Sequence, residues 1–216
     1  MRALLVAASP LPGTSELVSA LASGFDLVIA VDGGGGVCAS AGIVPDYVVG
    51  DFDSLDAKTA EALRSAGARI VTFPSHKDHT DLELALAQAS DAGATEVAVV
   101  SATGGRLDHT VAAIGALSAA DELSPWMADP ENTMWVLSPA GRRSLHVDGA
   151  GTTLSVIAVA EQSVVSASGV EWPLDRAALD VGSGRGVSNV ITSPSGADIE
   201  IQSGKVLVFV PRGPAV

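Results

Sequence analysis

The chain has 216 residues, enough for one large domain or two small ones at about 100–200 residues each. Its 25 Asp+Glu against 12 Lys+Arg give a formal net charge of -13, a surface that repels phosphate backbones and argues against nucleic acid as a partner. Hydrophobic residues (47%) suffice for a packed core, and the single cysteine, Cys38, excludes an internal disulfide and a cysteine-based zinc site.

The first apolar run, Ala3 to Ala8, follows one Arg and is cut by Ser9 and Pro10, too early for the core of a signal peptide. No later run approaches the ~20 residues of a membrane span, so a soluble, cytoplasmic protein with no membrane partner is expected. Short β-branched and aliphatic runs predict strands at Ala3–Ala7, Leu27–Val31, Tyr47–Val49, Arg69–Phe73 and Val97–Ser101. Ala/Leu-rich stretches between them predict helices at Ser15–Ser23, Asp56–Ala66, Thr80–Ala92 and Asp108–Ala120. The third helix has the fullest signature. Thr80 and Glu83 form a T-x-x-E capping box, Leu82, Ala85, Leu86 and Ala89 share one face, and Gly93 can end it. Strands alternating with helices predict an α/β, doubly wound, mostly parallel sheet with flanking helices.

After Pro125 the texture changes. Thr133–Leu137, Ser144–Val147, Thr152–Ala160, Val187–Thr192, Asp198–Ile201 and Val206–Val210 are β-like runs punctuated by Gly, Pro, Asn and Ser, with no long helical period. They predict a small antiparallel sandwich or barrel. The junction is placed in Asp121–Asn132, which divides the chain into an α/β domain, 1–123, and a smaller all-β domain, 124–216.

The acids fall in a pattern. Leu27–Val31 runs into Asp32-Gly33-Gly34-Gly35-Gly36, and Tyr47-Val48-Val49 into Gly50-Asp51-Phe52-Asp53-Ser54. Arg69–Phe73 leads to His76-Lys77-Asp78-His79-Thr80-Asp81, and Val97–Ser101 to Thr103-Gly104-Gly105-Arg106-Leu107-Asp108-His109. In a parallel sheet these loops leave at one edge, where open α/β sheets bind ligands. Asp32, Asp51, Asp53, Asp81 and Asp108 would then converge on one crevice. Carboxylates packed so closely repel unless a cation compensates, and a hard divalent ion such as Mg²⁺ is the simplest one. Asp51 and Asp53 in one turn, with Asp81 from another loop, form the candidate ligand set.

Each piece also has a plainer reading. A turn Asp is more often a backbone cap than a ligand, which is the reading of Asp32 or Asp78 taken alone, and Asp56 reads as an N-cap. Asp81 suits a helix N-terminus through the dipole. Gly33–Gly36 matches no G-x-G-x-x-G fingerprint, yet glycines after a strand let backbone N–H groups approach an anion. Arg106 after Gly104 and Gly105 is shaped for phosphate or is a surface arginine on a tight turn. His109 is a switchable base or the partner of Asp108, and Lys77 a solvated lysine unless phosphate lies near. Trp172, before Pro173, stacks on a flat ring or fills the core, and an isolated tryptophan reads as core, like Trp126 and Trp135.

Taken together, Val31-Asp32-Gly33-Gly34, Gly50-Asp51-Phe52-Asp53-Ser54, Lys77-Asp78-His79-Thr80-Asp81, Gly104-Gly105-Arg106-Leu107-Asp108-His109, Gly169-Val170-Glu171-Trp172-Pro173-Leu174 and Ser188-Asn189 strongly resemble the thiamine pyrophosphokinase family. The motifs occur in the family's order along nearly the whole chain. The resemblance implies an α/β catalytic domain that binds ATP and Mg²⁺, a β-sandwich that binds thiamine, and transfer of the pyrophosphoryl group of ATP to thiamine to give thiamine diphosphate and AMP. It also implies a homodimer with active sites at the subunit interface. By motif, Asp51, Asp53 and Asp81 become Mg²⁺ ligands, with Lys77 and Arg106 completing the catalytic set. Asp32, Gly33, Gly34, Thr80, Gly104, Gly105, Asp108 and His109 become nucleotide-side residues. Trp172 becomes the stacking platform for thiamine, and Ser188 and Asn189 bond its pyrimidine end.

The chain departs from the family's usual pattern at Gly35 and Gly36, where Ala-Asn is frequent, at Ala30 for glycine and at Ala113 for asparagine. Two other functions share the same features. One is a Mg²⁺-dependent phosphohydrolase with an aspartyl nucleophile, whose D-x-D-x-T motif is disfavoured by Leu55 at the Thr position. The other is a non-catalytic thiamine or nucleotide sensor.

Overall fold

Five aliphatic strands frame the first part of the molecule. In the structure, a computed structural model that describes residues 1–8, 11–74 and 78–212, these are β1 (Arg2–Val6), β2 (Leu27–Val31), β3 (Tyr47–Gly50), β4 (Arg69–Thr72) and β5 (Glu96–Val100). They pair in parallel in the order β5-β1-β2-β3-β4. Every residue of β2 is buried, as a central parallel strand covered on both faces requires. The connecting helices are α1 (Thr14–Ala22), α2 (Gly34–Ser40), α3 (Ala57–Ser65), α4 (Asp81–Asp91) and α5 (Leu107–Ala119). Asp56 caps α3 by accepting from the backbone N–H groups of Lys58 and Thr59, and Thr80 with Glu83 closes the expected capping box on α4.

Helix α2 is the departure in this half. The Gly-rich stretch after β2 reads as a turn, since glycine is the poorest helix former after proline. Packing decides otherwise. A Cβ on Gly34 would lie 1.8 Å from the Val6 carbonyl oxygen, and one on Gly35 would lie 2.9 Å from the Leu55 side chain. The helix rests against the sheet at a separation only glycine permits.

The chain forms two compact units, Met1–Ala116 with Met127–Pro130, and Leu117–Trp126 with Glu131–Val216. The short β6 (Trp126–Ala128) lies beside β5 in the strand order.

The second unit contains β7 (Asn132–Leu137), β8 (Ser144–Val147), β9 (Thr153–Ala158), β10 (Ser163–Ser168), β11 (Leu174–Leu179), β12 (Asn189–Val190), β13 (Ala197–Ser203) and β14 (Val206–Pro211). They form two antiparallel layers, β12-β9-β14-β7 and β11-β10-β13-β8. One apolar core lies between them: Leu154, Val156, Val206 and Val208 from the first meet Val165, Leu179, Ile199 and Ile201 from the second. This is the expected sandwich. Strands β6, β10 and β11 are additional to the expected set. The Val187–Thr192 run pairs regularly only at β12, with one further bridge from Ile191 to Val170. Among the described residues no helix is long and apolar enough to cross a membrane.

Candidate active site

Strand order reverses at β1, with β2, β3 and β4 to one side and β5 to the other. The carboxyl ends of strands around such a reversal make a natural crevice. A cavity of about 530 Å³ opens there, within the range of small-molecule sites. Its wall takes Ala7 and Ala8 after β1, Asp32 and Gly33 after β2, Asp51 and Ser54 after β3, Thr80 and Asp81 at the head of α4, and Ser101, Thr103, Gly105, Arg106 and His109 around the β5–α5 turn.

Asp32 stands at the centre of its charge. The residue is half-buried at φ +46, and its backbone N–H donates to the Val49 carbonyl at 2.8 Å. Gly50 makes this possible, because a Cβ there would lie 2.9 Å from the Asp32 Cβ. Burial pushes the Asp32 carboxyl above its ordinary range, and Asp81 and Asp53 add to the rise, while the Ser54 hydroxyl and Gly33 amide partly offset it. Its Oδ1 is buried with no hydrogen-bond partner.

Asp51 and Asp53 share one turn around Phe52, which sits at φ +64. The Asp53 backbone N–H donates to Asp51 Oδ1 at 3.2 Å, and the Ser54 hydroxyl donates to Asp53 Oδ1 at 2.8 Å. Carboxylate oxygens of Asp32, Asp51 and Asp53 lie within 4.8 Å of one another. Two oxygens bound to one Mg²⁺ lie about 2.9 Å apart if adjacent and about 4.2 Å apart if opposite, given bonds of 2.0–2.1 Å. The cluster is therefore close to shared coordination. An orphaned Oδ1 among three carboxylates is the donor set a hard divalent cation fits.

Asp81, the first residue of α4, faces the same cavity and acts on Asp32 through its charge, but it is outside the group of three. The structure thus gathers Asp32 with Asp51 and Asp53 more tightly than Asp81. Thr80 lines the cavity while its hydroxyl accepts from the Glu83 N–H in the capping box. Lys77 lies outside the described residues.

Arg106 and Asp108 form an exposed two-point pair, Nε to Oδ1 at 3.1 Å and Nη2 to Oδ2 at 2.6 Å. The Arg106 guanidinium holds the Asp108 carboxyl below its ordinary range. Gly104 takes φ +86, and a Cβ there would lie 2.3 Å from Leu11 Cγ, so the Gly-Gly-Arg turn depends on glycine for both reasons. His109 lines the cavity, and its backbone N–H donates to Asp108 Oδ1. Sequence reasoning passed over Ser101. It sits at φ +66, is 2% exposed, and its Oγ has no hydrogen-bond partner. Nothing in the local sequence marks it, because its backbone is set by the end of β5.

In the second unit, Trp172 is 56% exposed and does not fill the core, in contrast to the reading of it as an isolated tryptophan. Asn189 is buried and grips its backbone. The Asn189 Oδ1 accepts from the Trp172 N–H at 3.1 Å, and the Asn189 Nδ2 donates to the Trp172 carbonyl at 2.8 Å. The same Oδ1 accepts from the Val190 N–H at 2.9 Å, so most of this amide is engaged within the unit. Ser188 is exposed at φ +58, with its N–H donated to the Ser155 hydroxyl at 3.0 Å. Trp126 and Trp135 are half-buried, and Trp135 packs against the sandwich core.

Comparison with known proteins fits both halves. The family model described as "Thiamin pyrophosphokinase, catalytic domain" matches residues 18–125, and "Thiamin pyrophosphokinase, vitamin B1 binding domain" matches residues 143–206. A thiamine pyrophosphokinase of Bacillus subtilis (strain 168) is 28% identical over 173 residues, 79% of this chain and 80% of the relative. The crystal structure of the Bacillus subtilis protein superposes with a TM-score of 0.79 at 24% identity, covering 98% of this chain and 99% of the other. That of thiamin pyrophosphokinase from Geobacillus thermodenitrificans gives a TM-score of 0.79 at 25% identity, covering 100% and 99%. With one family model over the parallel unit and its companion over the sandwich, the chain belongs to the thiamin pyrophosphokinase family.

Proposed function

We propose that this protein transfers the β,γ-pyrophosphoryl group of ATP to the hydroxyethyl group of thiamine, giving thiamine diphosphate and AMP. The observation that carries the reading is the group of Asp32, Asp51 and Asp53 at the edge of the strand-end cavity, in a chain of this family. The thiamine hydroxyl oxygen forms a bond to the β-phosphorus and gives up its proton to water, the bond from that phosphorus to the oxygen bridging to the α-phosphate breaks, and AMP leaves with the electron pair. Such transfers need positioning and charge neutralisation more than covalent help from the protein.

Asp51 and Asp53, joined by Asp32 and faced by Asp81, would hold Mg²⁺, which when bound neutralises charge on phosphate oxygens. Arg106, fixed by Asp108, offers a guanidinium to phosphate from the β5–α5 turn that lines the cavity, and Lys77 is assigned the same kind of role by its motif. Gly33 and Gly105, which line the cavity, allow close backbone approach to the nucleotide. Trp172, exposed and held by Asn189, supplies a flat face for a thiamine ring, and Ser188 lies beside that clamp. A homodimer with active sites at the subunit interface belongs to the same reading. Leu107 and Val111, 77% and 61% exposed one turn apart on α5, support it by presenting apolar surface.

The assay is incubation with ATP, Mg²⁺ and thiamine, followed by chromatography of the products. AMP and thiamine diphosphate in equal amounts are expected. Inorganic phosphate formed without thiamine, or ligand binding without turnover, would replace this reading with a phosphohydrolase or a sensor.

A further inference from the structure

Behind the Gly-Gly-Arg turn lies a buried carboxylate that this mechanism does not use. Asp129, just past β6, is 6% exposed, and its Oδ2 accepts a hydrogen bond from the Thr103 hydroxyl at 2.6 Å. Hydrogen bonds to an ionised acceptor are short and roughly twice as strong as neutral ones. Thr103 lines the cavity together with Gly105 and Arg106. Resting on the function proposed above, we propose that Asp129 is a positioning residue, which through Thr103 fixes the Thr103–Arg106 turn in the form that receives the nucleotide phosphates.

Three contacts make this more than a local tie. Leu11 occupies the space beside Gly104 so closely that a Cβ would lie 2.3 Å from its Cγ. Asp129 holds Thr103. The anchor is itself packed: Ala128 is 1% exposed, and the Pro130 ring lies 3.6 Å from where a Cβ on Gly13 would sit. The turn is thus tied to two packed segments, and Thr103, Gly105 and Arg106 line the cavity. Without the Thr103 hydroxyl, a buried carboxylate loses a hydrogen-bond donor, which favours a shift of Asp129 or of the turn. A displacement near 1 Å at a phosphate-binding turn is enough to impair transfer substantially.

The test compares D129N, T103V, the D129N/T103V double variant and T103S with the wild type. It measures melting temperature, KM for ATP, KM for thiamine and kcat. D129N and T103V are each expected to raise the ATP KM about tenfold. The thiamine KM should stay within about twofold, and the double variant should be no worse than the poorer single one. T103S keeps the hydroxyl and should hold the ATP KM within about twofold of the wild type. T103V carries the test if D129N does not fold.

A lowered melting temperature with unchanged ATP KM in T103V overturns the proposal, as do equal losses for both substrates or fully additive effects. Calorimetric binding of MgATP to the same proteins separates this inference from the reading it rests on. If the wild type binds MgATP but forms no AMP with thiamine, the kinase reading fails, while a tenfold weaker MgATP affinity in T103V still supports the clamp. If the wild type binds no MgATP, both fall.

Discussion

The two units distribute backbone strain differently. In the parallel unit three non-glycine residues, Asp32, Phe52 and Ser101, hold left-handed backbones on the loops that follow β2, β3 and β5. Such a conformation costs roughly 1–2 kcal/mol per residue. Two of the three also carry a buried side-chain oxygen without a partner, Asp32 Oδ1 and Ser101 Oγ. In the second unit the positive-φ residues Ser124, Gln162, Arg176 and Ser188 are dispersed among different connections and strands, the unpartnered buried Gln202 Oε1 lies apart from them in sequence, and the unit is organised around one apolar core. Strain gathered at one rim with unsatisfied polar atoms marks a site that a ligand completes. The sandwich instead adds its candidate contact, Trp172, to a finished fold.

This contrast breaks most sharply at Asp51. Asp51→Asn removes one member of the three-carboxylate group without touching the core. Mg²⁺-dependent AMP formation should fall by at least the roughly 10–100-fold that even outer-shell changes cost at metal sites. The melting temperature should hold or rise, because a charge is removed from a repelling group. Activity within twofold of the wild type would take Asp51 out of the site.

The sandwich core should respond in reverse. Ile199 is fully buried between the two layers, so Ile199→Ala should destabilise that unit by about 2–5 kcal/mol, through lost transfer energy and the cavity left behind. Activity per folded molecule at low temperature should survive. Denaturant unfolding measures the first effect and active-site titration the second. A loss below about 0.5 kcal/mol would mean that the layers are not packed as described.

Trp172 sharpens the comparison, because it belongs to the stable unit yet should behave like a site residue. At 56% exposure Trp172→Ala removes little buried surface. Stacking of a cationic or flat heteroaromatic ring contributes about 1–2 kcal/mol, so the thiamine KM should rise about 5–30-fold while the ATP KM and melting temperature change little. Equal losses for both substrates would show that the variant disturbs the fold.

How much of this was legible beforehand depended on whether the cause was local. The runs at Leu27–Val31 and Ser144–Val147 matched the observed strands end to end, because composition and bounding turns fix them. The Thr80–Glu83 box and the Asp56 cap were equally visible, being contacts across three residues. Helix α2 was not, since its glycines answer to the carbonyl of Val6, far away in sequence. Strands β10 and β11, with the sequences SVVSAS and LDRAAL, have only Val164 and Val165 as β-branched residues between them and owe much of their pairing to neighbouring strands. In the site, Asp51 and Asp53 were apparent as a pair. The presence of Asp32 beside them follows from the β2–β3 register, which sets Val31 opposite Val49 and so brings the next residues of the two loops together. The strand-end pattern placed Asp32 in the same crevice, but its closeness to the pair rather than that of Asp81 is a matter of register that spacing does not carry. The Asn189 clamp on Trp172 spans 17 residues and was likewise hidden.

The smallest expected effect lies on the sandwich, away from any proposed chemistry. His146 on β8 faces Asp198 on β13, with Nδ1 2.7 Å from its Oδ1, while Nε2 lies 3.3 Å from Asp148 Oδ1. The hydrogen bond to Asp198 leads in raising the imidazole above its ordinary value of 6.5, and Asp148 adds to it. A raised folded-state value means that the folded chain holds the proton more tightly than the unfolded chain. The stabilisation is therefore fully present below about pH 6.5 and fades as pH climbs through the folded value. All three groups are exposed, so the contribution is small and screened by salt. Thermal melts of wild type and His146→Gln from about pH 5 to about pH 9 should differ most at the acid end and converge at the alkaline end, with the acid difference shrinking in high salt. A gap that stays constant across the range would make His146 a packing residue. Convergence would show that even the sandwich carries a charge-dependent tie, but one whose partners are already in place without a ligand, which separates it from the orphaned Asp32 Oδ1 at the parallel rim.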